Sequence, residues 1–415
     1  MSRIAVLGSG ISGLAAAWLL SRRHEVHLFE RAARLGGHTH THRLDRPHGP
    51  VALDTGFLVH NDRTYPNLVR LFRELGVETF ASDMSFAVSW PARDYEYSSR
   101  DLNGFFATRR HLVTPSHYRL FFEIARFSRI APRLLDAPGG DRATLGDFLD
   151  AHGFGTAFTE RFLVPMASAV WSAAPDTVRA FPAVTLIQFF DNHGMLAFRH
   201  RPAWCAVRGG SDTYVPKLAA PLGSRVHTGA APSRVTRTAD AVRLEFATRP
   251  PMEADAVVFA CHGDEVLPVL ADATPVEREV LGAFRSTTNE TWLHVDDTWL
   301  PRRPAARASW NYRLGDAATG ATVTYHLNRL QRLTAPEAYC ATLNPSVAIE
   351  PSKVLAHMTY THPLYTRAAI AAQARWAEIS GRHRAHFCGA YWAYGFHEDG
   401  LRSALRVAEA LGVSW

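Results

Sequence analysis

A chain of 415 residues, 47% hydrophobic and 20% charged, has the composition of a folded globular protein and excludes a disordered one. Its net charge of +6 rests almost wholly on arginine, since Lys217 and Lys353 are the only lysines. That excess reads either as a bias of base composition or as affinity for an anionic surface such as phospholipid head groups, and nothing points to nucleic acid. The four cysteines, Cys205, Cys261, Cys340 and Cys388, are far apart and in no metal spacing, and no apolar run reaches the roughly 18 residues of a membrane span. With the first strand starting at once and no leader ahead of it, the expected location is the reducing cytoplasm.

Arg3 to Leu7 is a short apolar run that reads as a buried parallel strand. Gly8, Gly10 and Gly13 follow in G-x-G-x-x-G spacing, with Ser12 among them, and then Leu14, Ala17, Trp18 and Leu20 at helical period. Glu25 to Phe29 is a second strand that ends on Glu30. Gly8 permits the sharp turn, Gly10 lets backbone approach a pyrophosphate, and Gly13 lets the helix sit close to the strand. The helix N-terminus offers free N–H groups to phosphate, and Glu30 can accept from a ribose diol. This is a dinucleotide-binding βαβ unit.

The alternating histidines at His38, His40 and His42, with His48 and His60 nearby, invite a metal reading, but no cysteine or carboxylate cluster accompanies them. His60 and Asn61 are candidate polar groups on the cofactor or substrate side. Tyr65 to Gly76 is an amphipathic helix, and strand-like segments rich in Phe and Tyr start near Thr79. The stretch Arg109 to Ala137 is basic and aromatic, with Tyr118, Phe121, Phe122 and Ala125 in one stripe and Arg119, Arg126 and Arg129 largely off it; Pro132 ends or kinks that helix. It reads as an ordinary helix of a substrate domain or as an interfacial membrane contact. Asp141 to Phe162 reads as a helical pair, and Trp171 beyond it serves either a substrate pocket or the core.

Past Arg208-Gly-Gly-Ser-Asp, a helix from Thr213 to Ala220 precedes strands at Arg225–Thr228, Ser233–Arg237, Val242–Phe246 and Asp255–Ala260. Further strands follow at Thr291–Val295, Arg307–Tyr312, Ala321–Leu327 and Val354–Tyr360, with Trp310 and Tyr325 among the polar and aromatic residues expected on the pocket floor. An apolar strand at His386–Ala390 leads into a turn, Tyr391 to Gly400, and a last helix, Leu401 to Leu411.

Glu30, Arg34, Gly36 and Gly37 make E-x-x-x-R-x-G-G, and Asp54 and Gly56 make a D-x-G strand. With Arg208 to Ser211 and Gly389 to Gly400, these resemble the flavin-containing amine oxidase superfamily of monoamine oxidases, phytoene-type desaturases and protoporphyrinogen oxidases. The resemblance implies an α/β fold: a Rossmann-type FAD-binding domain of the amine-oxidase kind, discontinuous over 1–64, 201–264 and 376–415, with an inserted α+β substrate domain over 65–200 and 265–375. It implies FAD, held non-covalently because no cysteine sits at the family's attachment point. Cofactor contacts carry over to Glu30, Arg31, Arg34, Gly36, Gly37 and His38, to Asp54 and Gly56, to the backbone near Val235, and to Gly389, Glu398 and Gly400. Phe396 and His397 fall where relatives set an aromatic against the flavin face.

Two departures matter. The strand near Thr288 to Val295 lacks the lysine that amine oxidases place near flavin N5, and one extra residue separates Glu398 from Gly400. Tyr394, Phe396 and Trp392 still offer an aromatic cage. Asn192 to Leu196, Arg201 to Trp204, Trp310 to Tyr312, Thr361 to Thr366 and Gly389 to Gly400 resemble, more narrowly, a bacterial branch of FAD oxidoreductases associated with cyclopropane-fatty-acid-synthase-like proteins and furan fatty acid synthesis. The reaction so implied is dehydrogenation of a modified fatty acyl chain, free or on a phospholipid, with peripheral contact at the inner face of the cytoplasmic membrane. The base candidates are His397, His60 and Glu398. An amine or amino-acid oxidase, or a non-catalytic FAD-stabilised lipid-binding protein, are the rival readings.

Overall fold

The computed structural model describes residues 1–136, 143–171, 175–197, 202–315 and 322–415. Ala137, Asp141, Arg201 and Ala321, which begin or end expected segments, lie outside the described residues. A five-stranded parallel sheet forms in the order Val226–His227, Glu25–Phe29, Arg3–Leu7, Ala256–Phe259, Ala385–Phe387. Arg3–Leu7 is its central strand, with Val6 opposite Leu28 and Val258, and Ile4, Ala5 and Val6 have no exposed surface. Both faces are covered, which explains the unbroken apolar run. Helices Ile11–Leu20 and His397–Ala410 pack on one face. On the other lie the helix Pro275–Gly282 and a small antiparallel sheet, Arg234–Arg237, Val242–Glu245 and Met252–Ala254.

The second half is a seven-stranded sheet in the order Val354–Pro363, Ser286–His294, Cys340–Leu343, Thr322–His326, Trp310–Arg313, Phe86–Trp90, Tyr95–Ser98. It is antiparallel except where Trp310–Arg313 runs parallel to Phe86–Trp90. The helices Pro115–Ile130, Leu145–Ala151, Val164–Trp171 and Ala183–Asn192 build its core. Strands from residues 86–98 and 286–363 thus share one sheet, although the strands at 226–259 come between them in the chain.

Several elements differ from expectation, among them the following. Cys340–Leu343 was not anticipated, yet all four residues are buried mid-sheet; four residues with no alternation carry too little periodicity to read. A hairpin, Thr41–Arg46 with Gly49–Asp54, starts within the histidine run. The last helix begins at His397, not Leu401. Asp399 accepts from the Phe396 N–H at 3.1 Å, and two acids in the first turn suit a helix N-terminus. Gly400 is therefore a helical residue, and a Cβ there would lie 2.7 Å from Ser12 Oγ and 2.9 Å from Ile11 Cγ2. It is a contact point between two helices rather than a turn glycine.

Candidate functional site

A cavity of about 1520 Å³ runs from the C-terminal ends of the parallel strands to the helices over the large sheet. At its first end, Gly8 has φ +106°, and a Cβ at Gly13 would lie 1.8 Å from the Gly8 carbonyl oxygen. Gly13 therefore packs helix on strand and does not line the cavity. A Cβ at Gly10 would meet nothing within 4 Å, so the space before it is open. Gly10, Ile11 and Ser12 line that space, and the helix has no side-chain cap, which leaves its first N–H groups for a ligand.

Glu30 closes the strand end. Its carboxylate accepts from Ser9 N and Oγ at 2.9 and 2.7 Å and from Ala32 N at 2.8 Å, which orients it at the cavity wall. Arg31 pairs with Glu265 at 2.5 Å, and Arg34 donates to the carbonyls of Leu35, Gly37 and Thr39, lacing the double-glycine loop. Gly36, Gly37, His38, Gly56 and Gly389 also line the cavity.

Five expectations are corrected here. Asp54 is wholly buried and accepts from Thr41 Oγ1, Ser211 N and Oγ, and Gln331 Nε2, so it anchors the R-G-G-S loop away from the cavity. Burial pushes its pKa up to about 6. Val235 N donates to Val269 O at 2.7 Å and its carbonyl accepts from Ala271 N at 2.9 Å, leaving no backbone group for a ligand; Ala231 and Pro232 line the wall instead. Glu398 accepts from Leu68 N, Asn67 N and Asn67 Nδ2, tying the last helix to the helix Pro66–Glu74. Those bonds occupy the carboxylate that was expected to act as a base. His60 is buried against Phe72 beyond the wall, and Asn61 accepts from Arg63 and Thr64 in a local turn. Trp392 packs on Phe284 and Tyr391, away from the cavity.

His397 lines the cavity, stacked on Phe57 at 3.7 Å between ring centres. Its Nε2 lies 3.0 Å from Thr39 Oγ1 and 3.1 Å from Tyr214 OH. Burial lowers its pKa to about 3, so the ring is neutral and already partnered. The Thr39 and Tyr214 hydroxyls thus fix the ring through Nε2. Across from it His38, His262, His362 and Tyr360 converge, with the His38 ring 5.8, 5.3 and 5.2 Å from the other three. His38 Nε2 is buried without a partner, and burial lowers the His38 pKa well below the usual value. His40 and His42 bond Tyr360 OH and Thr55 Oγ1.

The second half of the cavity is aromatic. Trp171, Trp310, Tyr325, Tyr394 and Phe396 all line it. Phe189 joins them, stacked on Phe396 at 4.9 Å and tilted against Trp171 at 4.8 Å. Among the described residues, the Trp171 and Trp310 indole nitrogens and the Tyr365 hydroxyl are buried without partners. His193, from the N-H-G-M-L stretch, lies on Phe189 at 3.9 Å and lines the same wall. Its Nδ1 is 2.9 Å from the Phe189 carbonyl oxygen; a carbonyl only accepts, so Nδ1 carries the proton and Nε2 the lone pair. Burial lowers its pKa to about 4. His193, Phe189 and Tyr365 escaped the sequence reading, although two of its motifs contain His193 and Tyr365.

The profile described as flavin containing amine oxidoreductase matches residues 11–293, more than half of the chain. The chain belongs to that family. Over 247 residues it is 28% identical to a Mycobacterium tuberculosis protein provisionally named flavin-containing monoamine oxidase AofH, a match covering 56% of this chain and 51% of that protein. The chain spans about half the length of the curated relatives it matches. It superposes on wild-type putrescine oxidase bound to putrescine with a TM-score of 0.71 at 14% identity, covering 99% of this chain and 98% of that one. It also superposes on the CLA-producing fatty acid isomerase from P. acnes with a TM-score of 0.69 at 16% identity, covering 97% of each. At these identities the likeness establishes the fold.

The cofactor of this flavin-containing oxidoreductase family member is FAD. The residues fit it: an open space at Gly10, an uncapped helix N-terminus, the Glu30 carboxylate, and a cavity larger than the roughly 300–1,000 Å³ that one ligand needs. Neither lysine reaches the cavity. Lys217 donates to the carbonyls of Leu75 and Gly76, and Lys353 pairs with Asp296 and Glu350.

Proposed function

We propose that this protein is an FAD-dependent dehydrogenase that introduces a double bond into a modified, methylated or cyclopropane-type, fatty acyl chain. Dehydrogenation takes a hydride and a proton from adjacent carbons; bound FAD supplies the hydride acceptor at N5. The proton goes to His193, whose Nε2 lone pair is held available by the Nδ1 bond to the Phe189 carbonyl. Phe57 and His397, stacked together, stiffen the cofactor side of the wall. Dioxygen or a quinone takes the electrons afterwards.

The observation that carries this reading is the lining of the second half. Phe86, Phe162, Met166, Val170 and Phe189 line it. Of its carboxylates, Asp83 is paired with Arg329, and Asp101 caps the Gly104 N–H with one of its oxygens at the exposed rim. The absence of a cavity lysine points the same way. A fatty acid isomerase is among the proteins that share the fold, which supports room for an acyl chain in this architecture.

Amine oxidation is the second reading, favoured by the family and by the Tyr394 and Phe396 walls. An anaerobic screen separates the two. Acyl phospholipids and free acyl chains are expected to bleach the flavin absorbance while amines do not; bleaching by amines alone would overturn the acyl reading.

A further inference from the structure

We infer that the outer face of the helix Pro115–Ile130 and the turn before it dock on an anionic phospholipid bilayer and open the cavity to it. The helix buries His117, Leu120, Glu123 and Phe127. The aromatic stripe read from the sequence points the other way. Among the described residues, six of the nine exposed large apolar side chains fall in this one region: Leu102, Leu112, Val113, Tyr118, Phe121 and Phe122, with Val113 84% and Phe122 66% exposed. Leaving such a patch in water is unfavourable, and its clustering marks an interaction surface.

The occupant follows from charge and continuity. Between residues 100 and 135 the chain carries seven arginines and two acids. Both acids are committed: Asp101 caps Gly104 N, and Glu123 accepts from Gly155 N and pairs with Arg119. Arg119 is paired with Glu123 and Arg110 lies beside Asp94, and the remaining arginines leave a net positive rim around an apolar apex, the arrangement that suits a head-group boundary. Val113, Pro115, Tyr118 and Phe122, with Arg126 and the Arg119–Glu123 pair, form a groove of about 630 Å³ on this face. Phe121 and Leu102 belong to both surfaces, since they are exposed outside and line the main cavity inside. The Phe121 ring lies 5.6 Å from that of Phe105, which also lines the cavity, so apolar surface continues inward without a break. No helix among the described residues is long and apolar enough to span a membrane, so the contact is with one leaflet. Entry of a lipid acyl chain by this route rests on the acyl reading above; docking itself does not.

The test is vesicle sedimentation of the holoenzyme with phosphatidylcholine alone and with a phosphatidylcholine–phosphatidylglycerol mixture, at low and high salt. Binding is expected to the anionic vesicles only and to fall with salt. The variant V113S/F122S, altered at exposed positions outside the cavity, is expected to lose at least tenfold in partitioning. R129E/R133E is expected to lose more, at about fivefold or greater per arginine. Both should keep flavin absorbance, melting temperature and the rate of flavin reduction by a short detergent-solubilised acyl substrate. Equal partitioning of wild type and both variants overturns the docking surface, as does binding that ignores lipid charge. So does a dimer in solution that V113S/F122S dissolves, which would assign the patch to a second copy. Vesicle binding without acyl-driven bleaching keeps the dock and removes the acyl reading; bleaching without vesicle binding does the reverse.

Discussion

The two ends of the cavity are built on opposite principles. Around the dinucleotide end, polar groups are paired within the protein: Glu30 with Ser9 and Ala32, Arg34 with three carbonyls, Asp54 with Thr41 and Ser211. What remains open is chiefly backbone, at Gly10 and the first turn of the helix, with His38 Nε2 the side-chain exception among the described residues. At the substrate end, among the described residues, the Trp171 and Trp310 indoles and the Tyr365 hydroxyl are buried without partners. The first end is a fixed mould for one shape that the chain meets every time. The second keeps side-chain groups unpaired, at a cost that a bound molecule offsets.

That contrast breaks at named residues. The largest effect is expected at Gly13: G13A places a Cβ against the Gly8 carbonyl and should cost the protein its bound flavin, seen as loss of visible absorbance. Full flavin occupancy in G13A would show that the mould is softer than its geometry. Next, H193A should slow flavin reduction by about 10²- to 10⁴-fold while leaving flavin occupancy intact. His193 must be neutral to accept a proton, and its pKa is lowered to about 4, so the wild-type rate should stay level from pH 8 to about pH 5 and fall as acid drives it through about 4. A rate that already falls below pH 6.5 would argue for an unshifted base.

At the mould end, E30Q weakens charge-assisted bonds to Ser9 and Ala32 and to the ribose, and should loosen FAD by about 10- to 100-fold in a fluorescence titration of apoprotein. An unchanged Kd would remove Glu30 from the site. The smallest effect is expected at Trp171: W171F deletes a buried, unpaired N–H and should leave the melting temperature within a few degrees or raise it. If that N–H serves a substrate, the apparent KM rises several-fold with no change in flavin content. Non-covalent attachment is checked separately, because acid precipitation should release the flavin into the supernatant.

The dinucleotide end was legible because its constraints are local. Gly8, Gly10, Gly13, Glu30, Arg34 and Gly37 lie within thirty residues, and each is required by a backbone that must turn, approach or bind at one place. Errors there came at long range. Val235 was assigned by resemblance, but its pairing with Val269 and Ala271 depends on a loop that sequence spacing does not place. For the substrate end, sequence alone yields aromatic residues without an order. Phe189, His193, Tyr365 and Phe396 are far apart in the chain and meet only once one sheet has joined strands from residues 86–98 and 286–363.

The helix Pro115–Ile130 shows where the boundary falls. Its basic and aromatic composition was plain, and a 3.6-residue period tells which side chains share a face. It does not tell which face meets the core, because His117, Leu120 and Phe127 make as good an apolar side as Tyr118, Phe121 and Phe122. The first thirty-seven residues determine a dinucleotide-binding α/β unit, because glycine placement and strand periodicity act through neighbouring backbone, and the motifs at Arg208 to Ser211 and Gly389 to Gly400 add the likeness to the family and its cofactor. The lining of the cavity, the tautomer of His193 and the outward turn of the aromatic stripe belong to packing beyond any one motif. Such packing is decided by which surfaces exclude water together, and no single segment carries that information.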